Sequence, residues 1–213
     1  MRTWRHLDAG HRRRERIRRE ITSFDGPCHS CRDSCRRSAT DAFRPGRPAS
    51  APLELSDAPV FLAAYQDPEI RHWHTRQPAS EDQVRAWFEQ YRQAWAQETG
   101  ASWAVTRGGG EVLGRIAMGG VNLDDGVAGC AYWVLPAARG AGVASRALTA
   151  LSVWALGEAG FHRLHLDHST RNHASCRVAV KCGFPLEGTK RSDAVHSDGR
   201  HDMHLHARIR GDD

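Results

Sequence analysis

The residues with the clearest chemical potential stand in one short run, Arg139-Gly140-Ala141-Gly142-Val143-Ala144-Ser145. Before it lies a β-prone stretch, Tyr132-Trp133-Val134-Leu135, that stops at Pro136; after it, apolar residues recur at 147, 148, 151, 154 and 155. The order is therefore strand, turn, helix. Glycines at 140 and 142 let the backbone turn so that successive N–H groups face one concave pocket. The first turn of the helix adds its unpaired N–H groups and positive dipole end. Such a pocket binds phosphate.

The competing readings of this turn are weaker. No G-x-x-x-x-G-K-[ST] occurs, which leaves an NTP-binding P-loop unsupported. A dinucleotide fingerprint would use Gly140-x-Gly142 with Asp167 downstream, but Ser145 stands where its third glycine is needed. It also falls too late, since roughly 80 residues of helix and strand precede it and that fingerprint usually opens a βαβ unit. A plain tight turn is the bland alternative. The better fit is R-x-x-G-x-A, from Arg139 to Ala144, followed by Asn172-x-x-Ser175 and then Lys181-Cys182-Gly183-Phe184.

On these motifs the chain resembles the GCN5-related N-acetyltransferase (GNAT) superfamily, and within it the RimJ/RimL-like branch that acetylates ribosomal-protein N-termini. The resemblance runs from about Leu53 to Ile209 and is most specific over 131–188, including the ending Gly183-Phe184-x-Leu186-Glu187-Gly188. It implies an α/β (α+β) fold: a mixed, mainly antiparallel central sheet with a parallel pair at the acetyl-CoA site and helices on both faces. It also implies that the backbone of Trp133, Val134 and Leu135 pairs with pantetheine like an added strand and polarises the thioester carbonyl. Arg139, Gly140, Ala141, Gly142, Val143, Ala144 and Ser145 would then cradle the pyrophosphate of acetyl-CoA, with Arg139 and Arg146 adding charge.

Acetyl transfer to an amine needs a bound donor, a neutral attacking amine, and stabilisation of the oxyanion with a proton for the departing thiolate. Many members of the superfamily use a tyrosine as proton donor, at the position of Ala179 here. The ribosomal branch implies Ser175 instead, with Asn172 as a pantetheine or CoA contact. A helix N-cap and an early-turn serine would account for the same two residues. The strand approach Val127-Ala128-Gly129-Cys130 carries no acid to serve as base. By topology, the base candidates are Asp167 and His168, at the C-terminal end of the next parallel strand, or a water relay.

The elements that must position these residues are legible in outline. Ser56 is placed to cap a helix through Tyr65 that Asp67-Pro68 ends, and Ser80 with Gln83 forms a capping box for a helix carrying Val84, Trp87, Phe88, Tyr91 and Trp95 on one face, closed by Gly100. Strands are expected at 102–106, 112–121 and 130–135, joined by the turns Gly108-Gly109-Gly110 and Asp124-Asp125-Gly126, as a meander. After the central helix, which Gly160 ends, a strand over 163–167 runs parallel to the one before the glycine turn, and a helix from Asn172 or His173 ends at Gly183. The last strands fall at about 184–188 and 202–209, with His204, His206 and Arg208 on one face and Met203, Leu205, Ala207 and Ile209 on the other. The cluster His201, His204 and His206, with its i, i+2 pair at 204 and 206, suits an exposed strand face, so no metal is expected. Prolines around 44–53 put a first strand in doubt.

Charge divides the chain. Residues 1–50 carry 13 Arg and 6 acidic residues, whereas 51–213 carry 17 basic and 19 acidic residues. The formal +5 therefore belongs to an N-terminal extension expected to be disordered, and the domain over 51–210 shows no basic excess for nucleic acid. Cys28-His29-Ser30-Cys31 resembles half of a zinc site without a second pair at finger spacing, and Cys130, Cys176 and Cys182 read as small core residues. No apolar run approaches the roughly 20 residues of a membrane span. The expectation is a cytoplasmic, acetyl-CoA-dependent N-acetyltransferase, monomer or homodimer, acting on a protein N-terminus. Two alternatives stay open, a small-amine acetyltransferase and a non-catalytic acyl-CoA-binding regulator.

Overall fold

The computed structural model describes residues 48–107 and 110–212. The expected disorder of the basic extension and the middle of the turn at 108–110 lie outside these residues. Seven strands form one sheet in the order β1-β2-β3-β4-β5-β7-β6: β1 Pro48–Pro52, β2 Ala101–Arg107, β3 Glu111–Asn122, β4 Val127–Val134, β5 Arg163–Ser169, β6 Leu186–His196 and β7 Gly199–Ile209. Every neighbouring pair is antiparallel except β4 and β5. The first strand exists despite its prolines because it is an edge strand, where a missing N–H can face away from the ladder.

Helices cover both faces. On one side α1 (Ala58–Ala64), α2 (Pro68–Trp73) and α3 (Glu81–Ala96) bury Phe61, Ile70, Trp87 and Phe88 against Ala104, Val112 and Trp133 of the sheet. On the other, α4 (Val143–Leu156) and α5 (His173–Lys181) close over Val105, Ile116, Leu164 and Leu166 through Leu148, Leu151, Trp154 and Ala179. Each fully buried side chain of this size is worth roughly 1.5–3 kcal/mol, so the two cores fix the layers more firmly than any single polar contact.

The ends of the helices explain two departures from expectation. A 3-10 turn at Leu55–Asp57 precedes α1, and Asp57, not Ser56, is its N-cap residue. Asp67-Pro68 does not merely end a helix. Asp67 Oδ1 accepts the Ile70 N–H at 2.9 Å and Pro68 takes the first position, which starts α2, an element the sequence reading passed over. The α3 cap is as expected, with Ser80 Oγ accepting the Gln83 N–H at 3.3 Å, while the Gln83 side chain returns to Ala79 N at 2.6 Å.

The β6–β7 hairpin is far longer than the two short strands expected. Its middle reads Gly188-Thr189-Lys190-Arg191-Ser192-Asp193, is largely exposed, and contains a register shift between Lys190 and Ala194 with Ser192 at φ 54°. Such residues have little β-propensity of their own. Pairing with β7 makes the strand.

One irregularity in the sheet builds the site. The parallel ladder of β4 and β5 holds only from Val127↔Arg163 to Gly129↔His165, although β4 continues to Val134 and β5 to Ser169. Beyond Gly129 the two strands separate.

Candidate active site

Where β4 and β5 part, a cleft of about 550 Å³ opens toward the glycine turn. One wall is the turn itself. Pro136–Ala138 forms a 3-10 turn, then Gly140 and Gly142 take φ of 76° and 72°, a left-handed conformation that L side chains adopt only with strain. Gly142 is the N-cap residue of α4. The first helical bond from it runs from Arg146 N to Gly142 O, so the N–H groups of Val143, Ala144 and Ser145 have no partner within the helix and line the cleft. A Cβ on Gly142 would stand 3.0 Å from an Arg146 guanidinium nitrogen. This is an anion cradle of backbone donors.

The neighbouring strand edge offers fewer groups than expected. Leu135 N–H donates to Leu113 O at 2.9 Å, so it is committed to β3, and by the alternation of an extended strand Trp133 points its amide the same way. Val134 is left to present its backbone to the opening, and its carbonyl accepts from Arg139 Nε at 3.3 Å. The Trp133 side chain is buried in the opposite core. Arg139 itself is held by two carboxylates, Asp67 at 2.5 Å and Glu69 at 2.7 Å, and Arg146 donates to Ala141 O at 2.7 Å. Arg139 thus pins α2 to the turn. The cations that reach the cleft from across it are Arg177 and Lys181 of α5, whose i, i+4 spacing on a helix was visible in the sequence.

The other wall carries the side-chain chemistry. Asn172 caps α5 by accepting the Ser175 N–H at 2.9 Å, and the Ser175 hydroxyl is engaged elsewhere, 2.9 Å from the Tyr132 hydroxyl. The capping and catalytic readings therefore concern different atoms: Asn172 holds the helix through the Ser175 N–H, and Ser175 Oγ takes no part in the cap. Burial pushes the Tyr132 phenol up to about 12, more than the Ser175 hydrogen bond lowers it, so it stays protonated at neutral pH. Tyr132 was missed as a functional residue. Its approach to Ser175 joins β4 to α5 across the cleft, a pairing that no local spacing announces.

A second recess of about 110 Å³ shares Tyr132, Asn172, Ser175, Trp73 and His74 with the main cleft and extends to Asp167 and His168. Asp167 Oδ2 is bound by Lys190 Nζ at 2.6 Å. His168, opposite His204 in the sheet, contacts the Ser169 carbonyl through Nδ1 at 2.8 Å and stacks on His206 at 5.0 Å; burial lowers its basicity. The face carrying His204 and His206 is not exposed, as expected from spacing, but lies beneath α5: His206 is fully buried, and its Nε2 is 3.9 Å from Cys176 Sγ. His201, on the other face, is also buried, between Ser169 Oγ and Asp198, each at 2.8 Å. Ser169 is itself buried and accepts the Arg171 N–H, so this Asp-His-Ser line is a clamp rather than a nucleophile. Cys130 is a core thiol pushed up to about 12 by burial.

His74, at the junction of cleft and recess, was also missed. Burial, then the Arg115 charge, pushes it down to about 4 against the effect of a hydrogen bond to the Tyr132 backbone. It is therefore neutral at pH 7, with one ring nitrogen committed and the other carrying a lone pair.

A strand, a glycine turn with unpaired amides, a crossover helix and a splayed parallel pair define an acyl-CoA-type transferase site. The GNAT acetyltransferase domain family matches residues 51–185, and the chain belongs to it: it is a GNAT N-acetyltransferase. No curated protein sequence matches at a significant level. Among solved structures, the chain is similar to RimL, the ribosomal L7/L12 α-N-protein acetyltransferase in complex with coenzyme A (TM-score 0.72, 18% identity, covering 77% of this chain and 94% of that one). It is also similar to Mycobacterium smegmatis RimJ in complex with CoA-disulfide (0.70, 19%, 78% and 90%) and to the microcin C7 self-immunity acetyltransferase MccE with acetyl-CoA and AMP (0.69, 18%, 75% and 91%). Among the described residues no helix is long and apolar enough to cross a membrane.

Proposed function

We propose that the chain transfers an acetyl group from acetyl-CoA to a primary amine of the protein N-terminus type, in the cytoplasm, as the RimJ/RimL-like branch does. The observation that carries this reading is the Ser175–Tyr132 hydroxyl pair, seated opposite the amide cradle where β4 and β5 separate. The unpaired amides of Val143, Ala144 and Ser145 would hold the pyrophosphate, with Arg177 and Lys181 facing it, and Val134 would take the pantetheine as an added strand. When bound, acetyl-CoA supplies the activated acyl carbon. The acceptor enters by the recess, whose size admits a terminal residue or the end of an alkylamine.

His74 is the base this geometry favours. It is neutral at pH 7, and Asp167 is held by Lys190 while His168 turns toward other histidines. It takes the amine proton, directly or through water; the nitrogen then bonds to the acyl carbon and the carbon–sulfur bond breaks. Ser175 hands its proton to the leaving sulfur while the Tyr132 O–H donates to Ser175 Oγ, and the proton taken up by His74 returns to Ser175 through water, which restores both side chains. Among the described residues, Cys130, Cys176 and Cys182 are free thiols, which agrees with a reducing compartment.

Free thiol release with a panel of N-terminal peptides and small amines tests the reading. Ser175→Ala should lower kcat by roughly 10²-fold with acetyl-CoA affinity little changed. The cap uses the Ser175 backbone N–H, so thermal stability should hold. Full turnover in the variant removes Ser175 from the mechanism, and no turnover in the wild type with any amine returns the chain to the acyl-CoA-binding regulator.

A further inference from the structure

Beneath α5, behind the Ser175 wall, four side chains from three elements converge: His168 of β5, His204 and His206 of β7, and Cys176 of α5. One ligand atom from each lies within 4.8 Å of all the others. The sheet register explains the meeting. His168 stands opposite His204, and Leu166 opposite His206, so the three histidines share one face, and the first turn of α5 lays Cys176 over it.

The hydrogen bonds around the cluster leave its inner atoms idle. His168 Nδ1 is 2.8 Å from the Ser169 carbonyl and His206 Nδ1 is 2.9 Å from the Phe184 carbonyl, so each ring donates outward and turns an Nε2 lone pair inward. His168 Nε2 and His204 Nδ1 are buried with no hydrogen-bond partner, in side chains of which His168 is 5% exposed. A buried polar atom without a partner costs on the order of 1–3 kcal/mol, and two of them within one cluster of four metal-ligating side chains are unlike a packed core. His206 Nε2 stands 3.9 Å from Cys176 Sγ.

The geometry points to a structural metal site, and we propose that His168, Cys176, His204 and His206 bind one Zn²⁺. Three imidazoles and one thiolate form the four-coordinate nitrogen and sulfur set that zinc takes, and the outward Nδ1–H to carbonyl bonds are the partners that orient ligating histidines. With Zn–N and Zn–S bonds of about 2.0–2.3 Å, the ligand atoms of a tetrahedron stand about 3.3–3.7 Å apart, so closure needs each to move by about an ångström or less. Zn²⁺ replaces the Cys176 thiol proton, which leaves to solvent, and no redox change is involved. All four positions are filled by protein, so the ion is a staple and not a Lewis acid for the transfer. It ties the start of α5, and with it Ser175, to β5 and β7. This departs from the metal-free expectation of the sequence.

Cobalt reports the site. The full chain without a histidine tag, stripped of metal, is titrated with Co²⁺ in three forms: wild type, Cys176→Ser, and a variant with Cys28, Cys31 and Cys35 all changed to Ser. One equivalent should bind the wild type with a thiolate-to-cobalt charge-transfer band that Zn²⁺ abolishes. The band should vanish in Cys176→Ser and persist in the N-terminal triple variant. His204→Gln, at a half-buried position that tolerates an amide, should weaken Co²⁺ binding at least about tenfold while keeping its circular dichroism spectrum. Zn²⁺ should raise the thermal midpoint of the wild type and not of Cys176→Ser. No stoichiometric uptake by the wild type, or a band that survives in Cys176→Ser and disappears in the triple variant, overturns the assignment.

Discussion

The two walls of the cleft are built by different means. The turn wall is contiguous, from Val134 to Ser145, and works through backbone N–H groups, so side-chain identity matters there mainly where glycine permits the path. The facing wall is assembled from α2, β4, β5, α5 and the β6–β7 hairpin, and presents side chains, among them Tyr132, Ser175 and His74. A backbone site is written in a short window of sequence. A side-chain site is written in the tertiary structure, and each of its residues can be lost alone.

The contrast is broken most easily at Gly142. Gly142→Asp adds a side chain at φ 72°, against Arg146, and a negative charge where the pyrophosphate would sit. Strain of about 1–2 kcal/mol plus charge repulsion should weaken acetyl-CoA binding at least about 10²-fold in calorimetry of the folded variant. Ala141→Ser, a change of side chain that leaves the amides in place, should bind as the wild type does. If both bind normally, the cradle is not the acyl-donor site.

The same division explains what sequence made legible. Strand, glycine turn and central helix are specified within a few residues of one another, as are the Ser80 and Asn172 caps, and the meander follows from alternation. The path of the backbone through the turn was therefore readable in the sequence. What escaped were elements and contacts made by distant partners. The strand at Leu186–His196 is polar and bulged and is held by β7. The histidine face of β7 is buried only because α5 crosses it, and Tyr132 meets Ser175 only because β4 and β5 part. Arg139 shows what a motif leaves out: it suggested a phosphate ligand, and it said nothing of the two carboxylates of α2 that the guanidinium pairs with. That helix carried its own signal, Asp67-Pro68 in cap and first position, which serves equally to stop a helix and to start one.

On the side-chain wall, His74 sharpens the contrast through pH. Its folded basicity is depressed to about 4 by burial, from an ordinary value of about 6.5. Between those values the unfolded chain binds the proton and the folded one does not, so stability rises with pH across that window and is lost as pH falls through it. His74→Gln should flatten the plot of unfolding free energy against pH by up to about 1.4 kcal/mol per pH unit between pH 4 and 6.5, and leave the slope above pH 7 unchanged. An identical slope in both proteins would mean that His74 is solvated, and would remove the reason for its neutrality in the cleft.

The smallest effect belongs to Arg139, where the two walls touch. Its guanidinium joins the turn to Asp67 and Glu69, and all three side chains are partly exposed, which limits such pairs to about 1 kcal/mol or less. Arg139→Gln should therefore cost no more than that in stability at pH 7. It should also change acetyl-CoA affinity by only a few-fold, since the charge it loses is already balanced. Burial alone would raise the Asp67 carboxyl, yet the hydrogen bonds from Arg139 and the Ile70 N–H hold it below the usual carboxylate range. A carboxylate held low stabilises the fold above its unfolded value and ceases to do so as pH falls through the folded one. The stability gap between wild type and Arg139→Gln should accordingly be full near pH 7 and close on acidification below the usual carboxylate range. A gap independent of pH would show that Arg139 acts through its contact with the Val134 carbonyl instead, and a large loss of acetyl-CoA affinity would return it to the phosphate.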